Sequence, residues 1–322
     1  MSNQERNPAE VLCREGDGDE GVSVIPAREV PLGGPRAMTV RRTIPSRGRT
    51  FVGAWCFLDH YGPDDVSETG GMRVPGHPHT GLATVSWLFS GEVEHRDTTG
   101  VHAFVRPGLL GLMIAGRGIA HSEYSTPATD VLHGAQLWFA LPESERDMAP
   151  RFEEYSAEPV ALADGARMIV FLGELAGEAS PVRTPVPILG AELAIPAGVR
   201  VELPIDPAFE HGILLDSGTV SIADCTPAIG ELVFIPTGRS TLTVEADGDA
   251  RLLLLGGPPF GEEIVMWWNF VGRSHDDIVA YREAWQAERA HPATPGDRFG
   301  EFPWDETLPA PELPNATLKT RR

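Results

Sequence analysis

The chain has 322 residues, 46 of them acidic against 26 basic, for a formal charge of −20. That balance excludes a surface built to grip phosphate backbones, which needs clustered lysine and arginine, and leaves open a basic protein partner. With 42% hydrophobic residues, 35 glycines and 29 prolines, the composition is that of a soluble globular protein with length for two cores and many tight turns, which points to a mostly β fold.

Residues 1–20 are polar and acidic and lack the apolar core of a signal peptide, so they read as a solvated, disordered tail. Short apolar-rich segments follow, separated by Gly, Pro and Asp: Arg49–Leu58, Leu82–Phe89, Glu92–Asp97, Leu109–Ala115 and Ala135–Ala140. They predict a first β domain over 21–141. Residues 142–160, rich in Glu and Pro, predict an exposed linker. A second β series occupies 161–272: Ala166–Gly173, Ala191–Ile195, Val199–Leu203, His211–Leu215, Thr219–Ala223, Glu231–Ile235, Thr241–Glu245 and Arg251–Leu255. Ser274-His275-Asp276-Asp277 has the form of a capping box, and Ile278, Tyr281 and Trp285 recur on one face, which predicts a helix. The Pro-rich remainder of 273–322 is expected to lie extended over a domain. No apolar run nears the roughly 20 residues of a spanning helix. Cys13, Cys56 and Cys225 are odd in number and far apart, which fits reduced thiols in a cytoplasmic protein.

The chemistry concentrates in two clusters, His77-Pro78-His79 and His121-Ser122-Glu123. Potential ligands at i and i+2 on a strand point to one face. Two neighbouring strands could therefore bring three imidazoles and a carboxylate around one ion, a set suited to a transition metal with an open position. Gly76 and Gly81 flank the first pair, where backbone could come close to an ion; the second follows the turn Gly116–Gly118. His60, His95, His102 and His133 are set aside as hydrogen-bonded or exposed side chains rather than ligands, and Cys56, between Trp55 and Phe57, as a buried structural thiol. No nucleophile elbow, phosphate loop or dinucleotide fingerprint occurs. Gly116–His121 has a counterpart in Pro236–Thr241, with Thr241 where the first half has His121. The second half is therefore expected to be a copy of the first without a metal.

Phe57-Leu58-Asp59-His60, His77-Pro78-His79-Thr80-Gly81, Gly91-Glu92-Val93-Glu94-His95-Arg96-Asp97 and Ala115-Gly116-Arg117-Gly118-Ile119-Ala120-His121-Ser122-Glu123 resemble the motif series of the pirin family. Gly256-Gly257-Pro258-Pro259 and Trp267-Trp268-Asn269-Phe270-Val271 resemble its second-domain ending. The resemblance implies a bicupin, an all-β fold of two antiparallel, jelly-roll-like barrels stacked face to face with a short C-terminal helix. It implies one iron in the first barrel, held by His77, His79, His121 and Glu123, although by donor type Mn, Co, Ni, Cu or Zn also suit the set. Many pirins have an acidic residue at the place of Ala83, so the pocket beside the metal is expected to differ there. Two roles are implied. One is oxygen-dependent opening of flavonols such as quercetin (a quercetin 2,3-dioxygenase), with Glu123 as ligand and catalytic base; the other is metal- and redox-dependent binding to regulatory proteins. The enzyme is the favoured reading.

Overall fold

Strands dominate because β-branched and aromatic residues recur between glycine and proline turns. The computed structural model describes residues 21–32, 38–303 and 306–321. The acidic stretch expected as a disordered tail, residues 1–20, lies outside them. Two seven-stranded antiparallel sheets each close against a smaller one. The first has the order Arg151–Ser156, Leu109–Ile114, Leu82–Ser90, Val131–Ala140, Trp55–Asp65, Met38–Ile44, Arg28–Leu32. Its partner sheet is Arg73–His79, Ile119–Ser125, Val93–Asp97, His102–Val105. The second has Ser23–Ile25, Leu232–Ile235, Glu210–Ser217, Ala250–Gly257, Leu189–Ile195, Arg167–Leu172, Val160–Ala161, with Arg200–Pro204, Thr241–Ala246, Val220–Ile222 as its partner.

The two-residue period of a strand divides its side chains between two layers. Ala83, Val85 and Trp87 of the first barrel share one buried cluster with Phe171, Leu214, Leu253 and Leu255 of the second. Ile213, Leu215, Leu252 and Leu254, one position along, fill the second barrel instead. Each such large aliphatic side chain contributes about 1.5–3 kcal/mol when fully buried, so the barrels are joined by a core of their own. Beside it, His60 Nε2 lies 2.7 Å from Asp216 Oδ1 and His133 Nε2 lies 2.6 Å from the same oxygen. Arg41 Nε donates to His60 Nδ1 at 3.2 Å. An accepting Nδ1 puts the ring proton on Nε2, which then donates to Asp216. This cluster is a polar clamp between the barrels.

Three boundaries differ from the sequence reading. The strand expected over Arg49–Leu58 begins at Trp55 and continues to Asp65. Ahead of it the chain bends at Gly53 (φ 55°), where a Cβ would stand 2.7 Å from Gly257 Cα of the other barrel. Within the expected linker, Arg151–Ser156 is an edge strand paired with Leu109–Ile114. Phe152 and Tyr155 anchor it on buried apolar clusters despite the surrounding glutamates. Ser23–Ile25, expected in the first barrel, pairs with Leu232–Ile235 of the second, where Ile25 enters the shared core.

The helix His275–Glu288 starts as its sequence predicts, with Ser274 Oγ accepting from Asp277 N and Asp277 closing the capping box. Its buried face, Ile278, Tyr281 and Trp285, joins Trp267, Trp268 and Phe270 of the hairpin Val265–Trp267/Phe270–Gly272 in a cluster that reaches Ala120 of the first barrel. The Pro-rich segment then passes over that barrel, where Thr307 bridges Gly76. Among the described residues, no helix is long and apolar enough to cross a membrane.

Candidate metal centre

His77 and His79 end the strand Arg73–His79, and His121 and Glu123 lie on its neighbour Ile119–Ser125. The register sets His121 opposite His77 but Glu123 opposite Val74. Three residues thus span what two span on the partner, a bulge at Pro75-Gly76 that re-aims the strand just before the histidines. Gly76 and Gly81, which flank the first histidine pair, are met by the C-terminal chain. Gly76 exchanges backbone hydrogen bonds with the C-terminal segment, its N–H donating to Glu306 O and its carbonyl accepting from Leu308 N. At Gly81 (φ 67°) a Cβ would lie 2.2 Å from Val271 O. Both glycines meet the C-terminal chain, and at Gly81 a side chain would block the crossing.

The imidazoles are turned by fixed acceptors. His77 Nδ1–H donates to Pro75 O at 2.8 Å and His79 Nδ1–H to Asn269 O at 3.2 Å. A carbonyl only accepts, so in each neutral ring Nε2 carries a bare lone pair. His79 Nε2 stands 3.1 Å from His121 Nε2. His77 Nε2 is buried with no hydrogen-bond partner among the described residues. One nitrogen from each of the three rings falls within 4.8 Å of the others. Burial pushes the His77 imidazole down to about 3 and holds those of His79 and His121 well below the ordinary range. A proton is therefore a poor partner for these lone pairs, and a metal cation fits them. Glu123 is buried on the same strand, with Oε1 3.4 Å from Ser86 Oγ, and stands outside the three-imidazole set.

Aromatic rings wall the site. Trp138 meets His79 edge-on at 5.1 Å and stacks on Phe57 at 4.0 Å. Arg42 lies 4.3 Å above Phe57, held by two hydrogen bonds to Asp59. Trp138 Nε1 and Gln136 Nε2 are buried donors without partners among the described residues. Ala83 does not border this pocket, contrary to expectation: it belongs to the layer between the barrels. Cys56 is buried, and burial pushes its thiol up, as suits a structural role. His95, set aside in the sequence, sits against the site with Nδ1 3.3 Å from His121 Nδ1, and its Nε2 lies 2.9 Å from Asp97 Oδ2. Asp97 stands two residues after His95, the same spacing that marks the other pairs, and this is the signal in the sequence that points to it.

In the second barrel, Thr241–Ala246 is the central strand of the small sheet, as Ile119–Ser125 is in the first. Thr241 is exposed, however, and the inward positions are Leu242 and Val244. The inward position at the start of that strand is thus a core leucine, one residue beyond the threonine that the similarity of the turns pairs with His121.

Two family models match the chain: Pirin over residues 37–139 and the Pirin C-terminal cupin domain over residues 190–291. A Pseudomonas aeruginosa protein named "Putative quercetin 2,3-dioxygenase" is 43% identical over 292 residues, 90% of each chain. A "Pirin-like protein" of Caulobacter vibrioides is 30% identical over 90% of this chain and 99% of its own. The crystal structure of a quercetin 2,3-dioxygenase from Acinetobacter baumannii is similar at a TM-score of 0.85 and 34% identity, covering 94% of this chain and 98% of that one.

Proposed function

The chain belongs to the pirin family of bicupins, and on that footing we propose that its first barrel is a metal-dependent dioxygenase site that opens flavonols such as quercetin with molecular oxygen. The observation that carries this reading is the convergence of three buried imidazoles, with one nitrogen of each within 4.8 Å of the others. His77, His79 and His121 would hold a divalent ion, iron first among the metals such donors accept, with Glu123 as the fourth ligand. Bound there, the ion would supply Lewis-acid stabilisation of an enolate oxygen and exchange electrons with oxygen. The names of the Pseudomonas and Acinetobacter relatives support the substrate class.

The protein's own residues have definite tasks. Glu123 takes the proton of the flavonol 3-hydroxyl on a carboxylate oxygen. Ser86, whose Oγ donates to Gln136 Oε1 at 2.9 Å and lies 3.4 Å from Glu123 Oε1, gives that carboxylate a polar neighbour. The Trp138 and Gln136 N–H groups, buried without partners among the described residues, are donors for the flavonol's oxygens. Because the three histidines and Glu123 are buried, water is kept from the reacting centre.

The test is to load the protein anaerobically with ferrous iron, add quercetin, admit oxygen, and follow oxygen uptake with loss of the flavonol absorbance. Coupled consumption of both is expected. An iron-replete protein inert toward a broad flavonol panel would shift the weight to the regulatory role, in which the same site controls contact with a partner protein.

A further inference from the structure

His77 and His79 have their Nδ1–H groups held by backbone carbonyls; His121 does not, since its Nδ1 faces another side chain, His95 Nδ1, at 3.3 Å. Two nitrogens facing each other leave open which one bears the proton, and on that choice depends whether His121 Nε2 is a bare donor or an N–H. We propose that the buried pair His95–Asp97 makes this choice and is the positioning device of the His121 ligand.

The chain of inference starts from Asp97. Its Oδ1 accepts from Thr99 N at 2.8 Å, Thr99 Oγ1 at 2.6 Å and Val101 N at 3.3 Å. Its Oδ2 lies 2.9 Å from His95 Nε2. A carboxylate only accepts, so His95 carries its proton on Nε2 and, as a neutral ring, presents a bare Nδ1. His121 must then donate through Nδ1–H, which leaves its Nε2 lone pair exposed toward His79 Nε2. Phe152 stacks on the His95 ring at 4.3 Å and fixes its plane. His95 and Asp97 are both buried, so no bulk water competes for these contacts. The order Asp97, His95, His121 is a carboxylate–histidine–histidine relay that sets a tautomer, with no net transfer of a proton.

The geometry also dictates the informative variant. In Asp97→Asn the three donors on Oδ1 hold the amide oxygen there, so the amide NH2 takes the place of Oδ2 and faces His95. His95 then accepts at Nε2, carries its proton on Nδ1, and donates to His121, whose proton is driven to Nε2. The shape is kept and the ligand is reversed. A second variant, His95→Gln, presents an amide oxygen that accepts from His121 Nδ1–H and preserves the tautomer.

The inference rests on the reading that these imidazoles hold a metal, and its readouts are chosen apart from turnover. Long-range 1H–15N NMR at equal added zinc reports which imidazole nitrogens carry protons, and competition with a chelator reports zinc affinity. In Asp97→Asn, His121 Nε2 is expected to change from bare to protonated while His77 and His79 keep their tautomers. Zinc affinity should fall by roughly 10–100-fold, the usual consequence of losing an outer partner of a ligand histidine. His95→Gln should stay within a few-fold of the wild type. An unchanged His121 tautomer and affinity in Asp97→Asn would overturn the assignment, and so would a loss in His95→Gln as large as in Asp97→Asn. A wild type that binds no zinc would instead sink the metal reading itself.

Discussion

The two barrels share a strand order and differ in what they put inside it. Across the small sheet of the first barrel the inward positions carry His77, His79, His121 and Glu123; across that of the second they carry Val201, Leu203, Leu242 and Val244. The second filling needs no partners and is stable by burial alone. The first places imidazoles and carboxylates out of water, each of which destabilises the fold unless something satisfies it. Pro75 O, Asn269 O, Asp97 and Ser86 meet part of that need from within the protein, and His77 Nε2 is left without a partner among the described residues. One architecture thus supports either a core or a site, and the residues on alternate positions of two strands decide which.

The largest break in this contrast is expected from His121→Ala. It removes one of three converging donors, so the loss of metal affinity should exceed the roughly 10–100-fold typical of an outer-shell change. Metal content after purification, compared with that of the wild type, checks it; equal content would mean the three imidazoles are not the ligands. Glu123→Gln comes next. The amide keeps the shape and is a poor base, so turnover of a flavonol should fall by roughly 10²–10⁴-fold, the usual contribution of a positioned base, even in samples that retain iron. Oxygen uptake at matched iron content decides, and undiminished turnover would remove Glu123 from the base role.

Leu242→Ala, at the inward position that opens the central strand of the second barrel's small sheet, should have the opposite profile. Truncating a fully buried leucine costs about 2–5 kcal/mol of stability, read by urea denaturation, while metal content stays at the wild-type level. Metal loss in parallel with stability would show that the second barrel's packing shapes the first barrel's site. The interbarrel core, to which both Val85 and Leu253 belong, is the route by which it would do so.

Much of this was legible in the sequence because it depended on spacing within one strand. The His-x-His and His-x-Glu pairs lie on adjacent strands in register, and the helix at Ser274 follows from its capping box and its Ile278/Tyr281/Trp285 stripe. What depended on contacts between distant segments was not legible. The carbonyl that turns His79 comes from Asn269, 190 residues away. The need for glycine at position 81 comes from Val271. The edge strand Arg151–Ser156 is held by two aromatic side chains inside a stretch whose composition is that of a linker. Thr241 is exposed although its turn resembles the one before His121, because turn similarity fixes a loop and not the register after it, and a one-residue slip exchanges inside for outside.

The smallest expected effect tests the one buried imidazole of the apolar barrel. His211 is 1% exposed, and neither ring nitrogen has a hydrogen-bond partner among the described residues. It borders a cavity of about 850 Å³ shared with Leu175, Ile205 and Phe209. Burial, opposed by the charge of Asp206, pushes its imidazole from 6.5 down to about 4. With the folded value below the unfolded one, the unfolded chain binds more protons in that interval. Stability associated with this group is therefore complete above about pH 6.5 and is lost as the pH falls toward 4. At about 1.4 kcal/mol per unit, the loss is on the order of 3 kcal/mol at most. In His211→Leu that part of the pH dependence should vanish. Urea denaturation of metal-free protein at pH 7 and pH 4.5 isolates it, because the imidazoles of the first barrel titrate alike in both proteins. A wild type and a variant with parallel pH profiles would show that His211 finds a partner on protonation. The second barrel would then share with the first a capacity to hold a buried charge.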